Sequence, residues 1–218
     1  LAGRGDVTTK ALKLGGVRCE GMITARAQGV VAGLFVAKLV FEKVDSGLEF
    51  EAMVEEGEMV REGDVLAVVR GSAESVLAGE RVALNFLQRM SGVATYTFLF
   101  VRAVKGTKAV IKDTRKTMPG MRALDKFSVC AGGGTNHRYC LDDDVLLKDN
   151  HVDMAGGVAE AVRRARANAP EGTKIEVETR NMEEVKEAVE AGADAIMLDN
   201  MKLSQIKEAV KYMNGAAE

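Results

Sequence analysis

The sequence predicts an α/β protein whose second half is built on a parallel sheet. Three observations lead there. Short apolar runs at KAVIKD (108–113), VLLKD (145–149), KIEVE (174–178) and DAIMLD (194–199) read as strands. The last three alternate with segments of helical periodicity, as βα units do. Each run ends in or just before a charged residue: Asp113, Lys148, Glu178 and Asp199.

Composition narrows the class. The chain has 218 residues, 47% of them apolar, and a net charge of -2. That supports a sizeable core and argues against a general nucleic-acid or membrane-surface binder. No apolar run reaches the roughly 18 residues that span a bilayer. Cys19, Cys130 and Cys140 are an odd set without pairwise spacing, which points to a reducing, cytoplasmic compartment. Cys130, His137 and Cys140 do not match a common zinc spacing, so a zinc site is not expected.

In chain order, the opening LAGRGDVTTKALKL shows no obvious first element. From Val17, short β-like pieces are punctuated by Gly21, Gly29 and Gly33 as by turns. Leu34–Val44 is an amphipathic helix. EEGEMVREGDVLAVVRG looks like a hairpin of a small β-sandwich or barrel. It resembles a lipoyl-carrier strand but lacks a lysine at a hairpin tip. Ala78-Gly79-Glu80 leads into a long helix that ends near Gly106. Its first face is Val82, Phe86, Leu87 and Met90, followed by Ala94, Phe98 and Val101. Arg81 falls in the first turn, where a carboxylate would suit the helix dipole better. Read locally, it is a surface arginine. Val158–Asn168, Met182–Ala191 and Ser204–Met213 are the later helices. A right-handed βα series gives either an open doubly wound sheet or a barrel.

The stretch from Asp113 to His151 holds both histidines and the cations Arg115, Lys116, Arg122, Lys126, Arg138 and Lys148. Arg115, Lys116, His137, Arg138 and Lys148 suit a ligand with several carboxylates or phosphates. Gly132-Gly133-Gly134 would let backbone approach that ligand, although it is neither a dinucleotide fingerprint nor a P-loop. Glu178 and Asp199 at neighbouring strand ends suit Mg²⁺, sugar hydroxyls or a developing positive charge. For Glu178 alone, a surface pair with Lys174 or Arg180 is the plainer reading. Charged groups at several strand ends mark the active-site face of a (β/α) barrel. A cationic cradle beside an acidic pair suits transfer of a group that leaves pyrophosphate behind.

ERVALNFLQRMSGVAT, DTRKTMPGMRALDK, GGGTNHR, LLKDNH, IEVE and IMLDN occur in that order after GDVTT. Together they resemble the quinolinate phosphoribosyltransferase family. The resemblance implies an N-terminal α/β sandwich domain (1–104, with a linking helix) and an incomplete, open TIM-like α/β barrel (105–218). It implies the reaction of quinolinate with phosphoribosyl pyrophosphate to give nicotinate mononucleotide, pyrophosphate and CO₂, with Mg²⁺ and no organic cofactor. Arg115, His137, Arg138 and Lys148 would hold the quinolinate carboxylates. Lys116 would stand between quinolinate and the donor. Glu178 and Asp199 would face the ribose and its Mg²⁺-pyrophosphate. Arg81 would reach the partner's site in a homodimer or higher oligomer. Lys116, Glu178 and Asp199 are the expected catalytic groups.

Members of the family usually carry helices before GDVTT and continue past the helix near Met213 with a strand and a glycine-rich SGG loop for the donor phosphate. Neither stands in this sequence, so quinolinate binding is expected to survive better than turnover if the polypeptide is truncated. Two rivals remain at this level: a same-fold paralogue associated with molybdate transport, and a non-catalytic anion-binding protein.

Overall fold

The computed structural model describes Gly3 and residues 5–218. It divides into two compact units, Leu1–His137 and Arg138–Glu218. The expected boundary at 104/105 falls inside the first.

The first unit runs α1 (Val7–Ala11), β1 (Arg18–Thr24), β2 (Gly29–Val30), α2 (Leu34–Val44), β3 (Glu49–Ala52), β4 (Met59–Val60), β5 (Val65–Ser72), α3 (Ala73–Ala103) and α4 (Arg122–Ala131). An antiparallel sheet has the order β1-β5-β3, and β2 pairs with β4. The α1 helix lies where the sequence showed no element. Asp6 supplies its cap, accepting from the Thr8 and Thr9 N–H groups. Leu1, Ala2 and Arg4 of that opening stretch lie outside the described residues.

The hairpin expected of residues 55–71 does not form. Its two strands, β4 and β5, belong to different sheets. Gly57 and Gly63 do turn the chain, at φ of 84° and 92°. Gly21 sits inside β1 opposite Val69 and is not a turn. The central strand β5 buries Leu66, Ala67, Val68 and Val69, because it has neighbours on both edges.

The 31-residue helix α3 begins at Ala73, two turns earlier than its sequence signal. Gly79 is therefore mid-helix. A Cβ there would lie 2.9 Å from Phe41 Cδ1, so the glycine allows α2 and α3 to approach. The buried residues Val76, Gly79, Ala83, Leu87, Met90, Ala94 and Thr97 recur at three- and four-residue steps. Val82, expected on that face, is 48% exposed. Its spacing from Leu87 is five residues, which points it elsewhere. Full burial of Leu87 or Met90 contributes about 1.5–3 kcal/mol each.

The second unit runs β6 (Val145–Leu147), α5 (Asp149–Ala155), α6 (Val158–Asn168), β7 (Ile175–Thr179), α7 (Met182–Glu190), β8 (Ala195–Leu198) and α8 (Leu203–Met213). Its strands form a parallel sheet in the order β6-β7-β8. Alternation sorts the side chains. Val145, Leu147, Ile175, Val177, Ile196 and Leu198 join the core with Val158, Val162, Val185 and Ala209 from the helices. Leu146, Glu176, Glu178 and Met197 take the other face. KAVIKD is not a buried strand. It makes one parallel bridge, Lys112 to Thr135, and Val110 is 60% exposed. A strand needs a paired neighbour, and among the described residues this run has only that bridge.

Asp194 closes one end of the sheet. Its carboxylate accepts from the Ile175 N–H at 2.7 Å and from Arg166 at 2.8 Å. These contacts, the Ile175 N–H first, hold its pKa below the usual aspartate range.

Two outcomes follow from these contacts. A Gly132→Ala substitution puts a Cβ 2.3 Å from the Ala94 carbonyl and 2.8 Å from Thr97 Cβ. It should cost about 1–3 kcal/mol in urea unfolding, and an unchanged midpoint would refute that packing. Asp194→Asn should cost about 1 kcal/mol at neutral pH, after discounting for solvent screening. Because the native carboxyl pKa is depressed, its contribution is present above the ordinary value and is lost as pH falls through the folded one. The gap between wild type and variant should therefore close in acid. A gap that persists in strong acid would contradict this assignment.

Candidate active site

In the second unit, parallel strands place three charged residues at one edge. Leu147 is level with Val177, and Glu178 with Met197. Lys148 and Asp199 each follow the last residue of their strand. Lys148, Glu178 and Asp199 thus share the carboxyl end of the sheet, drawn from three strands. Lys148 also caps α5. Its N–H donates to His151 Nδ1 at 2.9 Å, which fixes the strand-to-helix turn.

Glu178 does not form the surface pairs considered for it. Arg180 bonds Glu184 at 2.7 Å and Asp153 at 3.1 Å, and Lys174 bonds Glu218. Glu178 enters no ion pair among the described residues. The Asp199 carboxylate accepts from the Asn200 amide at 2.8 Å. Arg138 donates to the Asp144 carbonyl at 2.9 Å, while its Nε is buried without a partner.

In the first unit, Arg115 makes no hydrogen bond or ion pair among the described residues, and its Nε is also buried. A buried guanidinium donor without an acceptor is uncommon and calls for a ligand or water. Lys116 is exposed beside it, its backbone N–H bonded to Thr114 Oγ1 at 3.0 Å. His137 is half-buried in the same unit. Arg81 is exposed on α3, in its third turn and not its first.

Three readings change. Lys126 is not an available cation: it is 2% exposed and bonds Asp113 at 2.6 Å. Asp113 is correspondingly not a free group at a strand end. The triple glycine serves packing and not ligand approach. Gly132 ends α4, and Cβ atoms at Gly132 and Gly134 would collide with α3 and Val129. His151 and Asn136 carry no role legible from sequence, and α4 and α5 carry no sequence signal of their own.

Glu178 and Asp199 offer two hard oxygen donors. Mg²⁺ commonly takes one or two carboxylates and completes its shell with water and substrate phosphates. The donor set therefore fits Mg²⁺ without further protein ligands. A separate group, Cys140, Asp142 and Asp143, brings three ligand atoms within 4.8 Å of one another. Asp142, then burial and Asp143, push the Cys140 thiol up, which disfavours the thiolate that a soft metal requires.

Comparisons with known proteins agree along the chain. Residues 6–91 match the family described as Quinolinate phosphoribosyl transferase, N-terminal domain, and residues 93–218 match its C-terminal domain. A probable nicotinate-nucleotide pyrophosphorylase (carboxylating) of Synechocystis is 43% identical over 98% of this chain and 72% of its own length. The Bacillus subtilis protein of the same description is 41% identical over 96% and 72%. Among solved structures, NadC from Streptococcus pyogenes superposes with a TM-score of 0.93 at 40% identity, over 98% of this chain and 75% of that one. The nicotinate-nucleotide pyrophosphorylase from Francisella tularensis superposes with a TM-score of 0.94 at 33% identity, over 99% and 76%. The expected fold class, an N-terminal α/β domain with an open α/β barrel, is the one observed.

His151→Ala removes the acceptor for the Lys148 N–H. It should loosen the start of α5 by about 0.5–1 kcal/mol, seen as faster amide exchange at Lys148. Unaltered exchange there would show that the cap is not needed.

Proposed function

The chain belongs to the quinolinate phosphoribosyltransferase family, and from that premise we propose that it transfers the phosphoribosyl group of phosphoribosyl pyrophosphate to quinolinate. The products are nicotinate mononucleotide, pyrophosphate and CO₂, a step of de novo NAD synthesis. The observation that favours the substrate assignment is Arg115, whose guanidinium makes no hydrogen bond or ion pair among the described residues. Such a free cation suits an anion, and quinolinate brings two carboxylates.

Arg115, His137, Arg138 and Lys148 hold those carboxylates and orient the ring nitrogen. Lys116 supplies a point charge between acceptor and donor. The nitrogen lone pair forms the bond to the ribose C1 as the bond to pyrophosphate breaks. Charge spreads over an oxocarbenium-like ribose, and the Glu178 and Asp199 carboxylates stabilise it. The nitrogen becomes a pyridinium. The C–C bond to the adjacent carboxylate then breaks, CO₂ leaves, and its electron pair stays on the ring carbon beside the cationic nitrogen. A proton from solvent completes the product. No covalent enzyme intermediate and no organic cofactor enter; the side chains contribute positioning and fixed charge. Glu178 and Asp199 would hold Mg²⁺, which when bound neutralises charge on the pyrophosphate.

The same reading makes the active form a homodimer or higher oligomer. Arg81 is exposed and makes no hydrogen bond or ion pair among the described residues, as suits a side chain that serves a neighbouring subunit's substrate. The cytoplasm is the proposed compartment, supported by three free cysteines. Among the described residues, no helix is long and apolar enough to cross a membrane.

Calorimetric titration tests the assignment. Quinolinate should bind at least about tenfold more tightly than nicotinate, or roughly 1.4 kcal/mol, because the second carboxylate finds its own cations. Arg115→Ala should erase most of that preference. A folded chain that binds neither acid would favour the paralogue with another substrate.

A further inference from the structure

The buried pair of Lys126 and Asp113 does more than fill the interior of the first unit. Their side chains are 3% and 7% exposed, and Lys126 Nζ lies 2.6 Å from Asp113 Oδ1. The same Oδ1 accepts from the His137 N–H at 2.8 Å. Lys126 Nζ donates to the His137 carbonyl at 2.8 Å. Both backbone polar groups of one residue are thus held by the two ends of one ion pair. With its amide oriented to satisfy its neighbours, Asn136 adds a bond to Asp113 Oδ2 at 2.7 Å and another to the Lys126 carbonyl at 3.1 Å.

A buried pair of this kind is a poor way to gain stability, since desolvation offsets most of the attraction. Its geometry is specific, however. The pair joins the middle of α4 to the segment that leads to Arg115 and to the segment that ends in His137. Asp113 also donates its own N–H to the Thr135 carbonyl at 3.1 Å. Ligand-binding side chains need their supporting backbone fixed, because small displacements weaken oriented contacts.

We propose that Lys126 and Asp113 are positioning residues that clamp the His137 backbone and so aim its imidazole at the substrate carboxylate. This rests on the role given to His137 above. Neither residue touches substrate; both act through His137.

The test uses the neutral double variant Asp113→Asn/Lys126→Met, which leaves no unpaired buried charge but frees the His137 carbonyl. The chain has two histidines, His137 and His151, so ¹³C labelling of histidine gives two ring signals, assigned with His137→Gln. In the double variant the His137 signal should shift or broaden while that of His151 stays. Quinolinate affinity should fall about tenfold, with folding preserved by circular dichroism. Adding His137→Ala to the double variant should cost little more, since the contact is already lost. A folded double variant with wild-type affinity and an unmoved His137 signal overturns the proposal. A neutral double variant that fails to fold overturns it as well, because the pair is then a requirement of the fold. If wild type itself ignores quinolinate, the substrate assignment fails, and the two ring signals still decide whether the pair positions His137.

Discussion

Strand direction is the constraint on which the catalytic half of this protein depends. Parallel strands need a crossover between each pair, and the crossovers here are helices that cover one face. The covered face takes the valines and isoleucines. The other face is left to Leu146, Glu176, Glu178 and Met197, and every strand runs out at the same edge. Lys148, Glu178 and Asp199 come together for that reason alone. They are far apart in sequence and need no loop of unusual shape to bring them level.

The first unit solves a different problem. Its cations stand on irregular chain after α3, where no continuous sheet fixes the backbone. Side-chain bonds take over that work: Asp113 and Lys126 hold His137, Asp125 receives Arg89 at 2.6 Å, and the glycines after α4 let that helix close on α3. The buried Nε groups of Arg89 and Arg115 are left without a partner.

Much of this was legible in the sequence, and the failures have physical causes. The α2 and α6 bounds, and the three strands of the parallel sheet, follow from apolar periodicity. The start of α3 was misplaced because Gly79 looks like a helix boundary, whereas it is the point where Phe41 comes closest. The strand pairing in the N-terminal region was missed because β4 and β5 are adjacent in sequence but find partners elsewhere. Short helices such as α5 carry too few turns to show a period. In the sequence Lys126 looks like one more member of a cationic cluster. Nothing local distinguishes it, since its partner lies 13 residues away and only the folded chain reveals the burial.

The helix α3 carries one more consequence. The two family domains meet between residues 91 and 93, yet α3 runs unbroken from Ala73 to Ala103, a rod of roughly 46 Å. The seam recognised by ancestry thus falls in the middle of a single hydrogen-bonded element. Neither module can be excised at that seam without leaving half a helix with its apolar stripe bared. In this chain the two family domains are therefore joined by one continuous helix and not by a linker.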